Sequence, residues 1–143
     1  MNFDALTTAA VRDELLDKVL DGRIQKVLFP SEDTLGLEVY SKHQTYWLIA
    51  SIHPQHYRVH LVQQKLHRAI ERETPLLLLL RKYVRDGRIT AIEQPPFERI
   101  LIFRINKWLT SHAEQPAECR LIIEAMGRHS NIVLTDASGV VLE

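Results

Sequence analysis

The chain has 143 residues, of which 45% are hydrophobic and 25% charged, as is ordinary for one globular domain with a sizeable core. A formal net charge of zero argues against a protein that coats nucleic acid non-specifically. The longest apolar run, residues 76–80, is too short to span a membrane. With no secretory signal visible and a single cysteine, Cys119, we expect a cytoplasmic protein without a membrane partner.

The charges are unevenly distributed along the chain. Residues 41–107 contain twelve Lys and Arg against five Asp and Glu, a net of +7, whereas the segments on both sides are acidic. A basic middle region can form one local patch for phosphates. The other interpretation is a solvated surface of mixed charge, which needs no ligand.

The first predicted element is a helix over about residues 5–20. Its apolar residues recur at helical spacing, Asp4 is a suitable N-cap, and Gly22 stands where a C′ glycine is expected. Four strands rich in Val, Ile and aromatic residues follow. They are "RIQKVLFP", "TLGLEVYS", "QTYWLIAS" and "YRVHLVQ".

A second helix and a further set of strands are predicted in the second half of the chain. Thr74 and Pro75 predict the start of a helix that runs towards Gly87. About five strands then follow, namely "RITAIEQ", "RILIFRIN", "ECRLIIEAM", "NIVLTD" and "VVLE". Without alternating strands and helices, the pattern predicts an α+β fold of mostly antiparallel, sandwich-like sheets with two helices. We detect no internal sequence repeat, and residues 1–143 are expected to form a single domain cut from a longer protein.

Several kinds of chemistry lack their sequence signals. His53, His56 and His60 lie close together but without the helical spacing or partners of a zinc site, so no metal is expected. Phosphate-cradling glycine loops are absent, so no cofactor is expected either. Cys119 sits in a predicted strand and is expected to be a packing residue.

Two basic segments are candidates for contacts with phosphates. Arg81, Lys82 and Arg85 follow an apolar helical turn, and on a helix Arg81 and Arg85 would share a face. The alternative is favourable charge at a helix C-terminus. In the turn "GRHS", Arg128 and His129 could meet a phosphate or ribose, or else His129 and its neighbours only satisfy backbone groups.

Six motifs in order resemble the NFACT N-terminal domain, a family also called fibronectin-binding protein A. They are "FDALTTAAVRDEL", "GRIQKVLFPSEDTLGLEV", "SIHPQHYRVHL", "LLLRKYVRDGRI", "PPFERILIF" and "CRLIIEAMGRHSNIVLTD". The resemblance runs from Phe3 to Leu142. It implies a fold similar to the N-terminal domain of formamidopyrimidine-DNA glycosylases.

The resemblance also implies a function in ribosome-associated quality control. Members bind large ribosomal subunits obstructed by peptidyl-tRNA, recruit tRNA, and support alanine tailing of the stalled chain. The implied partners are therefore the obstructed subunit and a tRNA, alanyl-tRNA in bacteria. The older family name gives the alternative of a surface adhesin that binds fibronectin or fibrinogen.

The family positions linked to tRNA-dependent tailing fall on Asp4, Glu98 and Arg99. Glu98 stands where the family usually has Asp, which keeps the charge and adds one methylene. We expect Glu98 and Arg99 to open a strand, with Asp4 close to one of them; an Asp4–Arg99 ion pair is the structural alternative. The chain begins Met1-Asn2 and so lacks the N-terminal proline nucleophile of the glycosylases. We therefore expect a binding module rather than an enzyme.

Overall fold

The computed structural model describes residues 4–67, 74–125 and 130–142. Within these ranges the chain forms two helices and eight strands. They are α1 (Ala5–Lys18), β1 (Arg23–Ser31), β2 (Thr34–Ser41), β3 (Gln44–Ser51), β4 (Arg58–Val62), α2 (Pro75–Tyr83), β5 (Arg88–Glu93), β6 (Ile100–Lys107), β7 (Ala117–Glu124) and β8 (Asn131–Asp136). In this part of the chain, neither helix is long and apolar enough to cross a membrane.

The strands form one antiparallel sheet in the order β4-β3-β2-β1-β5-β6-β7-β8. Each half is a meander of four strands, and the halves join where β1 lies beside β5. The predicted α+β class with antiparallel strands and two helices is confirmed. The expected strand "VVLE" forms only in part, after a tight turn in which Asp136 accepts hydrogen bonds from the amides of Ser138 and Val140. Only one bridge, Thr135 to Val141, follows that turn.

One hydrophobic core is shared by both halves of the sheet and both helices. On β6 the buried residues alternate, so that Leu101, Phe103 and Ile105 face the core while their neighbours are partly exposed. From α1, Leu15 is fully buried, and from α2, Leu80 is fully buried. Each such side chain contributes about 1.5–3 kcal/mol by leaving water. The helices therefore hold the two meanders around a common interior.

The end of α1 differs from the expected glycine cap. Val19 caps the helix, and Asp21, with a φ of 66°, takes the left-handed conformation expected of Gly22. Gly22 is needed for space instead, since a Cβ there would lie 2.7 Å from Val39 Cγ1 and 2.8 Å from the Val19 carbonyl oxygen. The glycine allows the chain to pass closely between the helix end and β2.

The same local arrangement follows α2. Asp86 has a φ of 69°, and a Cβ on Gly87 would lie 2.5 Å from Ile105 Cγ2. Residues 19–24, "VLDGRI", and residues 84–89, "VRDGRI", thus share the pattern Val-x-Asp-Gly-Arg-Ile. The expectation of no internal repeat is wrong: each half consists of a helix, this hexapeptide and a four-stranded meander.

The two hexapeptides meet at the centre of the sheet, and we call this junction the seam. Its backbone hydrogen bonds are reciprocal: Asp21 N to Ile89 O (2.8 Å), Asp86 N to Ile24 O (2.6 Å), Ile24 N to Gly87 O (2.8 Å) and Ile89 N to Gly22 O (2.9 Å). Two ion pairs cross in the same way, Arg23 with Asp86 at 3.2 Å and Arg88 with Asp21 at 3.0 Å. The halves are therefore related by a local pseudo-two-fold axis.

Candidate nucleic-acid interface

Asp4 begins α1 and is its N-cap, as predicted. Its Oδ1 accepts a hydrogen bond from the Thr7 amide at 2.8 Å, which satisfies one of the unpaired donors of the first turn. That hydrogen bond stabilises the charged carboxylate and lowers the pKa of Asp4 below its usual value. The exposed carboxylate is therefore ionised at neutral pH and lies at the positive end of the helix dipole.

Glu98 and Arg99 lie in a turn between β5 and β6. The Glu98 amide donates to the Pro95 carbonyl at 3.1 Å, and Phe97 between them has a φ of 62° and is 94% exposed. The expectation that Glu98 and Arg99 open a strand is wrong, since β6 begins at Ile100. The chain is still turning at these residues, so strand alternation does not force the two side chains to opposite faces.

Gln94 connects this turn to the start of α1. Its Nε2 donates to the Ala5 carbonyl at 3.1 Å and to the Glu98 carbonyl at 2.8 Å. The structure therefore brings Asp4 and Glu98 to the same end of the molecule, as the sequence predicts. The described ion pairs include none between Asp4 and Arg99. The structural alternative, an ion pair that connects the helix to the sheet, is therefore not formed among the described residues.

Arg81 and Arg85 line a groove of about 530 Å³ together with Lys26, Lys65 and His67, and we call it the basic groove. The prediction that Arg81 and Arg85 share a helix face is wrong, because α2 ends at Tyr83 and Arg85 lies in the following turn. They meet because that turn curves back along β1.

Lys82 lies outside the residues that line the basic groove. Its Nζ is 5.1 Å from the centroid of the Tyr83 ring, within the range of a cation–π contact. Of the three basic residues predicted on α2, two therefore face a common ligand site. The sequence did not reveal Lys26, Lys65 and His67, because they come from β1 and the segment after β4 and are brought together only by the fold.

A second cavity, which we did not predict as a site, lies beside the first turns of α1. It measures about 520 Å³, and its lining residues are Thr7, Val11, Gln55, His56, Tyr57, Arg58 and His60. The rings of His53 and His56 lie 5.0 Å apart. In the described part of the chain, no group of three His, Cys, Asp or Glu side chains could hold a metal ion. The signal available in sequence was the cluster of polar rings in "SIHPQHYRVHL".

Two predicted residues belong to the turn between β7 and β8. Arg128 and His129 lie outside the described residues. Next to them, Asn131 Oδ1 accepts from the Ile132 amide at 2.9 Å, as the structural alternative for this turn expects.

Two groups near the end of α2 have shifted pKa values and structural contacts. Lys107 Nζ donates to the carbonyls of Lys82 at 2.8 Å and Arg81 at 3.2 Å, and burial lowers the pKa of this amine. Burial, with the nearby Glu118 carboxylate, raises the pKa of Cys119 to about 12. A buried thiol that keeps its proton is no nucleophile, which agrees with the predicted packing function of Cys119.

Comparison with known proteins supplies the context of this site. A family model described as NFACT N-terminal and middle domains matches residues 4–143. The chain is 36% identical over 139 residues to the Rqc2 homolog RqcH of Bacillus subtilis, covering 96% of this chain and 24% of that protein. It is 34% identical over 138 residues to RqcH of Streptococcus pneumoniae, with the same coverage. The chain thus spans about a quarter of the length of these curated relatives.

Solved structures share the fold closely. The N-terminal part of the fibronectin/fibrinogen-binding protein of Streptococcus suis has a TM-score of 0.91 and 31% identity, over 99% of this chain and 52% of that one. The N-terminal domain of the fibronectin-binding protein PavA of Streptococcus pneumoniae has a TM-score of 0.88 and 32% identity, over 99% of this chain and 54% of that one.

Proposed function

The chain belongs to the family of NFACT N-terminal and middle domains, and from this membership we propose a function in ribosome-associated quality control. In this proposal the chain is one domain of a longer cytoplasmic protein. It binds tRNA, alanyl-tRNA in particular, and the large ribosomal subunit that holds an obstructing peptidyl-tRNA. The whole factor then supports alanine tailing of the stalled chain.

The basic groove is the observation that carries this proposal. Four cationic side chains, those of Lys26, Lys65, Arg81 and Arg85, line one concavity on a chain whose net charge is zero. Concentrated positive charge of this kind is what contact with successive phosphates requires. Arginine can also hold one phosphate with two parallel hydrogen bonds.

The end of the molecule that holds Asp4, Glu98 and Arg99 supplies the second contact region in our proposal. Carboxylates accept hydrogen bonds from base amino groups, and arginine binds phosphate or stacks on a base. Phe97, exposed between the turn residues, offers a further stacking surface. Glu98, in place of the family's Asp, puts its carboxylate one methylene further out and can shift the tailing activity.

The chain itself is proposed to perform no bond chemistry. Its groove and turn supply charge and hydrogen-bonding groups, and peptide transfer would occur on the ribosome.

Arg99→Lys tests the proposal, since lysine keeps the charge but loses the planar fork. We expect weaker binding of a fluorescein-labelled alanine tRNA, measured by anisotropy, and an almost unchanged melting temperature. Arg12→Lys is the matched control, because Arg12 lies on α1, is partly exposed and is outside the proposed contacts. A large fall in melting temperature with tRNA affinity intact would make Arg99 a structural residue.

The adhesin function is the second candidate, because the similar streptococcal structures belong to proteins named for binding fibronectin or fibrinogen. The same chain should be titrated against immobilised fibronectin at low and high salt. Fibronectin binding that ignores salt, together with no measurable binding of RNA, would replace our proposal with the adhesin.

A further inference from the structure

A cavity of about 340 Å³ opens at the seam, at the opposite end of α1 from Asp4. Both crossed arginines, Arg23 and Arg88, line it, as do Asn106 and Trp108 at the end of β6. This volume lies within the range of roughly 300–1,000 Å³ that is typical of small-molecule sites. We call it the seam cavity.

Three properties of the lining point to a ligand. The Trp108 side chain is 58% exposed, although burying an indole normally stabilises a fold. The Asn106 Oδ1 atom is shielded from solvent and has no hydrogen-bond partner among the described residues, which is costly unless a ligand group supplies one. Arg23 and Arg88 each use one terminal nitrogen in an ion pair, yet their side chains are 65% and 64% exposed.

Residues of the seam cavity and of the basic groove lie close together in the sequence at two places. On β1, Gln25 and Lys26 line the groove, and Arg23 lines the cavity. After α2, Arg85 lines the groove and the next residue, Asp86, lines the cavity. The chain segments that supply the groove therefore also supply residues of the cavity.

We propose that the seam cavity binds one unpaired nucleobase of single-stranded RNA. The base stacks on the Trp108 indole, the Asn106 amide pairs with the edge of the base, and a guanidinium of Arg23 or Arg88 contacts the adjoining phosphate. This inference rests on the proposed RNA-binding function and adds a site remote from Asp4, Glu98 and Arg99.

The chemistry favours a base over a protein side chain. An amide beside an aromatic ring matches the donors, acceptors and π-face that every base carries. The two arginines and Lys107 against two aspartates give the lining a net charge of +1, which suits a phosphate. A purely apolar partner would leave the Asn106 Oδ1 atom without a hydrogen bond.

Binding of a short single-stranded RNA oligonucleotide of mixed sequence, followed by anisotropy, provides the first test. Trp108→Ala should weaken binding about tenfold, the typical effect of losing one stacked base. Trp108→Phe should lose less, because a ring remains. Leu109→Ala is the matched control, being the exposed neighbour that does not line the cavity, and should bind like the unchanged chain.

Indole fluorescence provides the second test, because Trp47 and Trp108 are the two tryptophans of the chain. In Trp47→Phe, titration with the same oligonucleotide should quench Trp108 emission, with saturation at the concentration that saturates anisotropy. Unchanged emission at saturating RNA, or equal affinity of Trp108→Ala and the unchanged chain, would overturn the seam site.

The two proposals fail in distinguishable ways. If RNA binds and depends on Arg81 and Arg85 but not on Trp108, the seam site is wrong and the proposed function stands. If the chain binds no RNA, but AMP, GMP, CMP or UMP quenches Trp108, the cavity is a mononucleotide site and the RNA function is wrong. Loss of both signals refutes both.

Discussion

Replacing Arg81 and Arg85 together with alanine is the sharpest test of the basic groove. Four cationic side chains line it, and each phosphate contact on a single strand contributes about 0.7 to the slope of log affinity against log salt. The unchanged chain should therefore show a slope near −2.8, and the double variant a slope near −1.4. We expect little change in melting temperature, since charges at the surface contribute about 0–1 kcal/mol.

The slopes convert into a difference that one titration series can measure. Between about 50 and 200 mM salt, the affinity of the unchanged chain should fall roughly 50-fold and that of the double variant only about 7-fold. Anisotropy of a labelled single-stranded RNA, repeated at four salt concentrations, measures both. The control is Lys18→Ala with Lys42→Ala, which removes two positive charges near the end of α1 and outside the groove.

Equal slopes for the double variant and the control would refute the groove as the phosphate contact. A double variant that unfolds would instead show that the two arginines hold α2 to the sheet. In that case Lys65→Ala, in a segment outside the helices and strands, repeats the slope measurement with a smaller expected change of about 0.7.

The remaining predictions concern the cap, the seam and the thiol. Asp4→Asn keeps an N-cap oxygen but removes the charge, so near pH 7 the melting temperature should fall only slightly and the tRNA affinity should fall more. The stability that the Asp4 carboxylate adds to the unchanged chain should be lost as the pH falls through its lowered pKa. Gly87→Ala should lower the free energy of unfolding by about 1–3 kcal/mol, measured by urea titration, because the new Cβ meets Ile105. Gly139→Ala is the comparison, because a Cβ there has open space and the loss should be only the backbone strain of about 1 kcal/mol for a φ of 92°. The pKa of Cys119 is raised from an ordinary value of 9.0 to about 12, so the thiol should resist a thiol reagent at pH 8 until urea unfolds the chain. The contribution of the protonated thiol to stability should fall as the pH rises from about 9 to about 12. Rapid labelling of the native chain would contradict the burial.

Local signals in the sequence predicted local structure well. Asp4 as a cap and Thr74 with Pro75 as a helix start are confirmed, since both depend on side-chain oxygens that reach amides three residues away. The two Asp-Gly pairs were misread, because a glycine after a helix usually supplies the left-handed residue. Here Asp21 and Asp86 do so, and the glycines are needed for space, because a Cβ would meet a carbonyl at the helix end and a side chain of β2 or β6.

Contacts between distant residues were beyond the sequence. Gln94 links the start of α1 to the turn at Glu98 across 89 residues, and nothing in its neighbourhood marks it for that function. The basic groove likewise combines β1, the segment after β4 and the end of α2. The seam repeat was missed because six residues are too few to stand out in a chain of this length.

The seam also has a consequence for the order of folding. Every other strand pair joins neighbours along the chain, so the hairpins can form within microseconds from local contacts. Among the described strands, only β1 and β5 pair across a long separation in the sequence, and their ladder has one residue pair, Arg23 with Arg88. We therefore expect the seam to close late, so that weakening the crossed ion pairs speeds unfolding much more than it slows refolding.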